Sequence, residues 1–133
     1  MPSPVGHILS GAIVYLAGTP EQRSRSGQVL TMALLGSIAP DLDFLPGVML
    51  GDMRMFHHGI THSVPFALAL GALVFVVARR YDAAVASRSA LLATIACISH
   101  VILDFVSVNE GTRGVPLLWP FSTALFGVSL HVF

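Results

Sequence analysis

The stretch Ala90–Val108 is long enough to cross a bilayer, and within this apolar run sit His100 and Asp104. A charged side chain in lipid is costly, so such residues turn toward a bundle interior and usually mark function. The spacing His100-Val101-Ile102-Leu103-Asp104 is i to i+4, which puts both side chains on one face of a helix. The plainer alternative is a His–Asp pair that only pins helices together. Either way, the fold must bury that face against other segments.

Composition identifies what the remaining faces meet. Hydrophobic residues make up 54% of the chain and charged residues 11%, with a mean hydropathy of +0.78. Soluble domains carry about 25% charged residues to face water. There is no lysine, and the net charge is zero. Nucleic-acid binding, which needs a clustered basic face, is therefore not predicted. A soluble bundle would show a polar stripe on each helix, and Val64–Ala78 has none. Cys97 is the single cysteine, which excludes an internal disulfide framework and reads as a buried, inert thiol.

Five apolar stretches are separated by polar or Gly/Pro-marked breaks. Val5–Ala17 comes first, with Ser3 as N-cap and Pro4 at the favoured first helical position. The start, Met1-Pro2-Ser3-Pro4, lacks the positive charge of a signal peptide, so this stretch is expected to be retained. Val29–Ile38 stops near Pro40, and Leu42–Leu50 follows as an apolar coda interrupted by Pro46-Gly47. The third stretch, Val64–Ala78, is capped by Thr61 or Ser63 and closed by Arg79-Arg80. Ala90–Val108 is the fourth, and Val115 to the C-terminus the fifth. By length, the fourth and fifth are expected to span, and the first three are short. The expectation is all-α: one domain over residues 1–133, a compact membrane-embedded helical bundle of about five short helices.

If the stretches alternate in direction, the links on one side carry Arg23, Arg25, Arg79, Arg80 and Arg88. The opposite links carry Arg54 and Arg113. The positive-inside rule puts the Arg-rich links in the cytoplasm. On the other side gather His7, Asp41, Asp43, His57, His58, His62, His100 and Asp104, and unrelated polar residues would have no reason to converge there. Glu21, Asp52 and Asp82 read as solvated link residues.

These residue types suit a metal. Neutral imidazoles are common transition-metal ligands, and Phe56–Ser63 supplies three histidines, His57, His58 and His62. In Pro40-Asp41-Leu42-Asp43, the carboxylates would diverge on a regular helix. They point the same way in an extended turn, where like charges repel unless a cation lies between them. A helix cap with a solvated turn is the alternative for this motif. His7, Asp41, Asp43, His57, His62, His100 and Asp104 are the candidate ligands, with His58 as an additional one. Seven ligands exceed the needs of one catalytic zinc, and two bridged ions suit phosphate-ester hydrolysis. Mixed nitrogen and oxygen donors favour Zn, then Mn or Fe, over Ca or Mg, with one to three ions expected.

The motifs Gly6-His7, Pro40-Asp41-Leu42-Asp43, His57 with Thr61-His62-Ser63, Ser99-His100 with Asp104, and Gly114–Pro120 resemble, in this order, the YdjM-like membrane-bound metal-dependent hydrolases. That family is distantly similar to zinc-dependent phospholipase C and the S1/P1 nucleases. The resemblance implies a cytoplasmic-membrane protein of a bacterium or archaeon, with His100 and Asp104 as a His-x-x-x-Asp ligand pair in an all-helical metal site. Two positions depart from the family pattern: His58 stands where Arg is frequent, and Phe44 where His is frequent. Relatives commonly continue past the apolar run that closes this sequence, which leaves room for a further C-terminal helix.

The function expected is metal-activated water attacking an ester, such as a lipid phosphoester. Asp41 or Asp43 would bridge ions or act as general base. Thr61, Ser63 and Asn109 would orient ligands, Arg113 would steady an anionic substrate, and Trp119 would suit the membrane–water interface. The partners expected are membrane lipid and a lipid-like or phosphoester substrate. The alternative is a non-enzymatic membrane protein that binds, senses or transports metal. Transport predicts polar residues spread through the membrane depth, and here they gather at one end.

Overall fold

The computed structural model of the chain describes residues 4–18, 27–52, 55–108 and 114–128. Among them are five α-helices: α1 (Pro4–Gly18), α2 (Gly27–Ile38), α3 (Phe44–Met49), α4 (Val64–Tyr81) and α5 (Ala83–Val106). Two 3-10 turns, Pro40–Asp43 and Ile60–His62, sit immediately before α3 and α4. The fold is the all-α bundle expected, but its helices are not the five apolar stretches one for one. Helix α4 is longer than its apolar core, and α5 begins at Ala83 because Asp82 caps it, accepting from the Ala84 N–H at 2.9 Å. Ser63 caps α4 in the same way, accepting from Phe66 N–H at 3.2 Å.

The fifth stretch is the correction: none of residues 114–128 is helical. Pro116 and Pro120 have no N–H to continue a helical ladder. Val115 and Phe126 instead pair in an antiparallel bridge, with N···O distances of 2.7 and 2.9 Å. The segment is tied to the start of α4 by Val64 N–H donating to the Leu117 carbonyl, and to α5 by Val128 N–H donating to Phe105. Among the described residues, the helices long and apolar enough to cross a membrane are α4 and α5. The third stretch, expected to be short, thus reaches spanning length because the helix runs on through Arg79 and Arg80 to Tyr81. Helix α2 with Pro40–Met49 gives a third such length, bent by 48° at its break. The predicted cap Ser3 and the link residues Glu21, Arg23, Arg25, Arg54 and Arg113 lie outside the described residues.

Helix α5 packs on α1, α2 and α4. Its buried residues, among them Ala86, Ser89, Ala93, Ala96, His100 and Asp104, recur every three or four positions and form one stripe. Most of that stripe is Ala, Ser or Cys. In lipid no hydrophobic effect drives helices together, so close approach over small residues supplies the contact. Gly36 of α2 shows how close: a Cβ there would lie 2.8 Å from the Ala93 Cα. Larger side chains, Tyr15, Val29 and Leu92 around Ala33, fill the space where α1, α2 and α5 meet.

Facing pairs fix the directions. Gly18 lies against Leu92 and Ser10 against Ser99, so α1 runs antiparallel to α5. Gly71 lies against Thr94 across the one-residue joint at Asp82, so α4 does too. The start of α1, the end of α2, the start of α4 and the end of α5 thus share one end of the bundle. Arg79, Arg80 and Arg88 lie at the other, where Arg88 donates to the Gly18 carbonyl.

Substituting Gly36→Val is expected to destabilise the detergent-solubilised protein by about 1–3 kcal/mol through overpacking against Ala93. Gly27→Ala, where a Cβ meets nothing within 4 Å, should leave the melting temperature close to wild type. A Gly36→Val melting curve that overlays the wild type would mean that α2 and α5 do not meet there.

Candidate metal centre

The end of the bundle shared by His7 and Asp104 collects every described histidine and three aspartates. Asp104 is at its middle, with 1% of its surface exposed. Its Oδ2 lies 3.0 Å from His100 Nε2 and 3.2 Å from His62 Nε2, and its Oδ1 lies 3.6 Å from His7 Nε2. Asp41 approaches from the 3-10 turn after α2, with Oδ1 3.5 Å from His100 Nε2 and 4.0 Å from His62 Nε2. The ring of His7 stacks on that of His100 at 3.6 Å between centroids.

Local structure explains how each group arrives. Pro40 follows the end of α2, and the carbonyls of a helix's last turn lack partners along the helix. The Ser37 carbonyl accordingly accepts from His100 Nδ1 at 2.7 Å. Because a carbonyl only accepts, Nδ1 of His100 carries a proton, and in the neutral ring Nε2 presents a lone pair. His58 reaches inward through a left-handed backbone, φ 60°, which costs a non-glycine residue about 1–3 kcal/mol. Its ring is buried, with Nε2 3.9 Å from Asp104 Oδ2.

The two carboxylates of the Pro-Asp-x-Asp motif do not point the same way, as an extended turn would have allowed. Pro40–Asp43 is a 3-10 turn, in which positions two apart diverge by roughly 240°. Asp41 faces Nε2 of His62, while Asp43 Oδ2 lies 3.1 Å from Nδ1 of the same ring. Asp43 also accepts from the Gly59 N–H and the Thr61 hydroxyl, both at 3.0 Å, and its Oδ1 lies 3.1 Å from Nδ1 of half-buried His57.

Two groups of potential ligand atoms result. Asp41, His62, His100 and Asp104 each offer one atom within 4.8 Å of all the others, as do Asp43, His57 and His62. Ligand atoms held about 2.0–2.1 Å from a tetrahedral ion stand roughly 3.3 Å apart. His62 Nε2 and His100 Nε2 are 3.3 Å apart, and Asp104 Oδ2 is 3.0–3.2 Å from both. Asp104 Oδ2 is buried, yet no hydrogen bond of acceptable geometry reaches it among the described residues, and the same holds for His7 Nδ1. Converging acceptors of this kind demand positive charge. For His62, just outside the α4 span, burial alone would lower the imidazole's proton affinity. The Asp104 and Asp43 carboxylates outweigh burial and hold it above its ordinary range.

Every predicted ligand within the described residues is brought to this end. Thr61 bonds to Asp43 and lies 3.2 Å from His62 Nδ1. Ser63 turns instead to the backbone, donating to the Ile60 carbonyl while capping α4. Asn109 and Arg113 lie outside the described residues. Trp119 is partly exposed. The Ser37 carbonyl and Gly59 amide went unpredicted, since a backbone group leaves no side-chain signal.

The sequence matches the family described as YdjM inner membrane protein over residues 1–133. The inner membrane protein YbcI of Escherichia coli (strain K12) is 35% identical over 102 residues, covering 74% of this chain. The match takes in 57% of that relative, so the chain spans little more than half its length. No solved structure matches the chain.

The burial pattern predicts the order of chemical modification. His57 should react with diethylpyrocarbonate well before His62 and His100, whose side chains have no exposed surface. Peptide mass spectrometry after brief labelling measures this, and equal rates at His57 and His100 would contradict the buried cluster.

Proposed function

Since the chain belongs to the YdjM inner membrane protein family, we propose that it is a membrane-embedded metal-dependent hydrolase. The observation that carries this reading is the gathering of Asp41, His62, His100 and Asp104 at ligand spacing, with the His100 proton already held on the opposite nitrogen. These four would hold the ion, and His7 and His58 lie close enough to Asp104 to complete the set or serve a second ion. Nitrogen and oxygen donors together suit Zn, Mn or Fe. A bound ion of this kind supplies Lewis acidity and lowers the pKa of coordinated water to about 7.

The chain's own residues would do the rest. Asp41 has 19% of its side chain exposed, against 2% for Asp104 and none for His62 and His100, so it faces the open side of the cluster. A carboxylate there is suited to accept a proton from an approaching water. Asp104, held between His7, His62 and His100, would fix the ligand set. Exposed apolar side chains on α3 and the neighbouring turns, including Leu45, Met49, Phe56 and Ile60, flank this end of the bundle. They favour an ester carried by an amphiphile, such as a lipid phosphoester. Under the positive-inside rule, Arg79, Arg80 and Arg88 would face the cytoplasm and the site the opposite side. A transporter would need polar groups through the membrane depth, and this cluster lies at one end.

Detergent-purified protein is expected to carry a transition ion, which His100→Ala and Asp104→Asn lose while remaining helical by circular dichroism. With Zn or Mn added, phospholipids and phosphomonoesters should be hydrolysed, and Asp41→Asn should slow turnover by about 10²–10⁴-fold. A wild-type protein with only trace metal, or activity indifferent to Asp41→Asn and Asp104→Asn, would sink this assignment.

A further inference from the structure

His62 belongs to both groups of ligand atoms, and its two ring nitrogens face opposite ways. Nε2 lies among Asp41, His100 and Asp104, while Nδ1 faces Asp43. A neutral imidazole carries one proton and so offers one lone pair. We infer that Asp43 is a positioning residue: acting through His62, it aims the Nε2 lone pair at the ion site and binds no ion itself. This rests on the reading of Asp41, His62, His100 and Asp104 as the ion-holding set.

The hydrogen-bond network assigns the proton. Thr61 has one hydroxyl hydrogen and donates it to Asp43 Oδ2. The 3.2 Å contact between Thr61 Oγ1 and His62 Nδ1 must therefore be donated by the histidine. In the neutral ring that leaves the lone pair at Nε2. The ionised Asp43 carboxylate, with Oδ2 3.1 Å from Nδ1, favours the same tautomer by its charge. An ion among Asp43, His57 and His62 would need that arrangement reversed, removing the lone pair from the better-buried group.

Oδ2 of Asp43 is fully engaged. Each oxygen of an ionised carboxylate has about two acceptor positions. Gly59 N–H, Thr61 Oγ1 and His62 Nδ1 converge on Oδ2, and His57 Nδ1 lies at hydrogen-bond distance from Oδ1. These donors come from the loop that carries His57, His58 and His62, so one carboxylate aligns the loop and the ring together. His57 then holds the far oxygen of Asp43 and stands outside the ion's ligands. A carboxylate behind a metal-binding histidine typically contributes 10–100-fold in metal affinity.

The test is Co²⁺ titration of the full-length protein in detergent, with chelator competition for affinity and the visible d–d bands for coordination. Asp43→Asn is expected to weaken Co²⁺ binding by about 10–100-fold while keeping the wild-type stoichiometry and band shape. Asp43→Glu should recover part of the loss. His57→Gln, at a half-buried position and tolerable to folding, should keep both the ion count and the spectrum. Should Asp43→Asn fail to fold, the His57→Gln ion count decides. Loss of one ion per chain in either variant, altered d–d bands, or wild-type affinity in Asp43→Asn would overturn the inference and leave the primary ion site standing. Wild-type protein that takes up no Co²⁺ would overturn both.

Discussion

In a bilayer the water that would solvate a histidine or carboxylate is missing, and α5 answers by turning one stripe inward along its whole length. Small residues occupy most of it, which lets α1, α2 and α4 approach closely enough to enclose the rest. The last two turns then carry His100 and Asp104 into a space already closed on several sides. Helix packing and ligand gathering are consequences of the same periodicity. A charge left alone at Asp104 would cost several kcal/mol, so the imidazoles around it are a condition of the fold as well as of the site.

Much of this is legible in the sequence. The i, i+4 spacing of His100 and Asp104 declares a shared face, and alternation of direction carries His7, Asp41 and His62 to the same end. What is not legible follows from local geometry and from the backbone. The Pro-Asp-x-Asp motif is compatible with several turn types, and only the 3-10 turn sends Asp41 and Asp43 to opposite nitrogens of His62. Residues Val115–Phe126 read as an apolar span by hydropathy, yet their prolines leave them as a bridged segment lying against the ends of α4 and α5. The Ser37 carbonyl is invisible because every residue has one.

The two histidines nearest Asp104 are oriented by different means. His100 is held by a main-chain carbonyl at the end of α2, a group no substitution removes without moving the helix. His62 faces a side-chain carboxylate from a turn and is preceded in the chain by residues that touch the same carboxylate. One ring is therefore anchored to the helical frame, and the other to a loop whose alignment depends on Asp43. The left-handed backbone at His58 belongs to that loop and carries its ring into the buried space beside Asp104.

The one-residue joint at Asp82 acts as the pivot of a calliper. Helices α4 and α5 leave it as two antiparallel arms, and the tips bring His62 against Asp104. At 1.5 Å per residue, the tips stand roughly 30 Å from the joint, about the thickness of the hydrocarbon core. The turn at one surface of the membrane and the residue number along each arm thus set the level at which His62 and Asp104 meet at the other, and the contacts at the tip set their spacing.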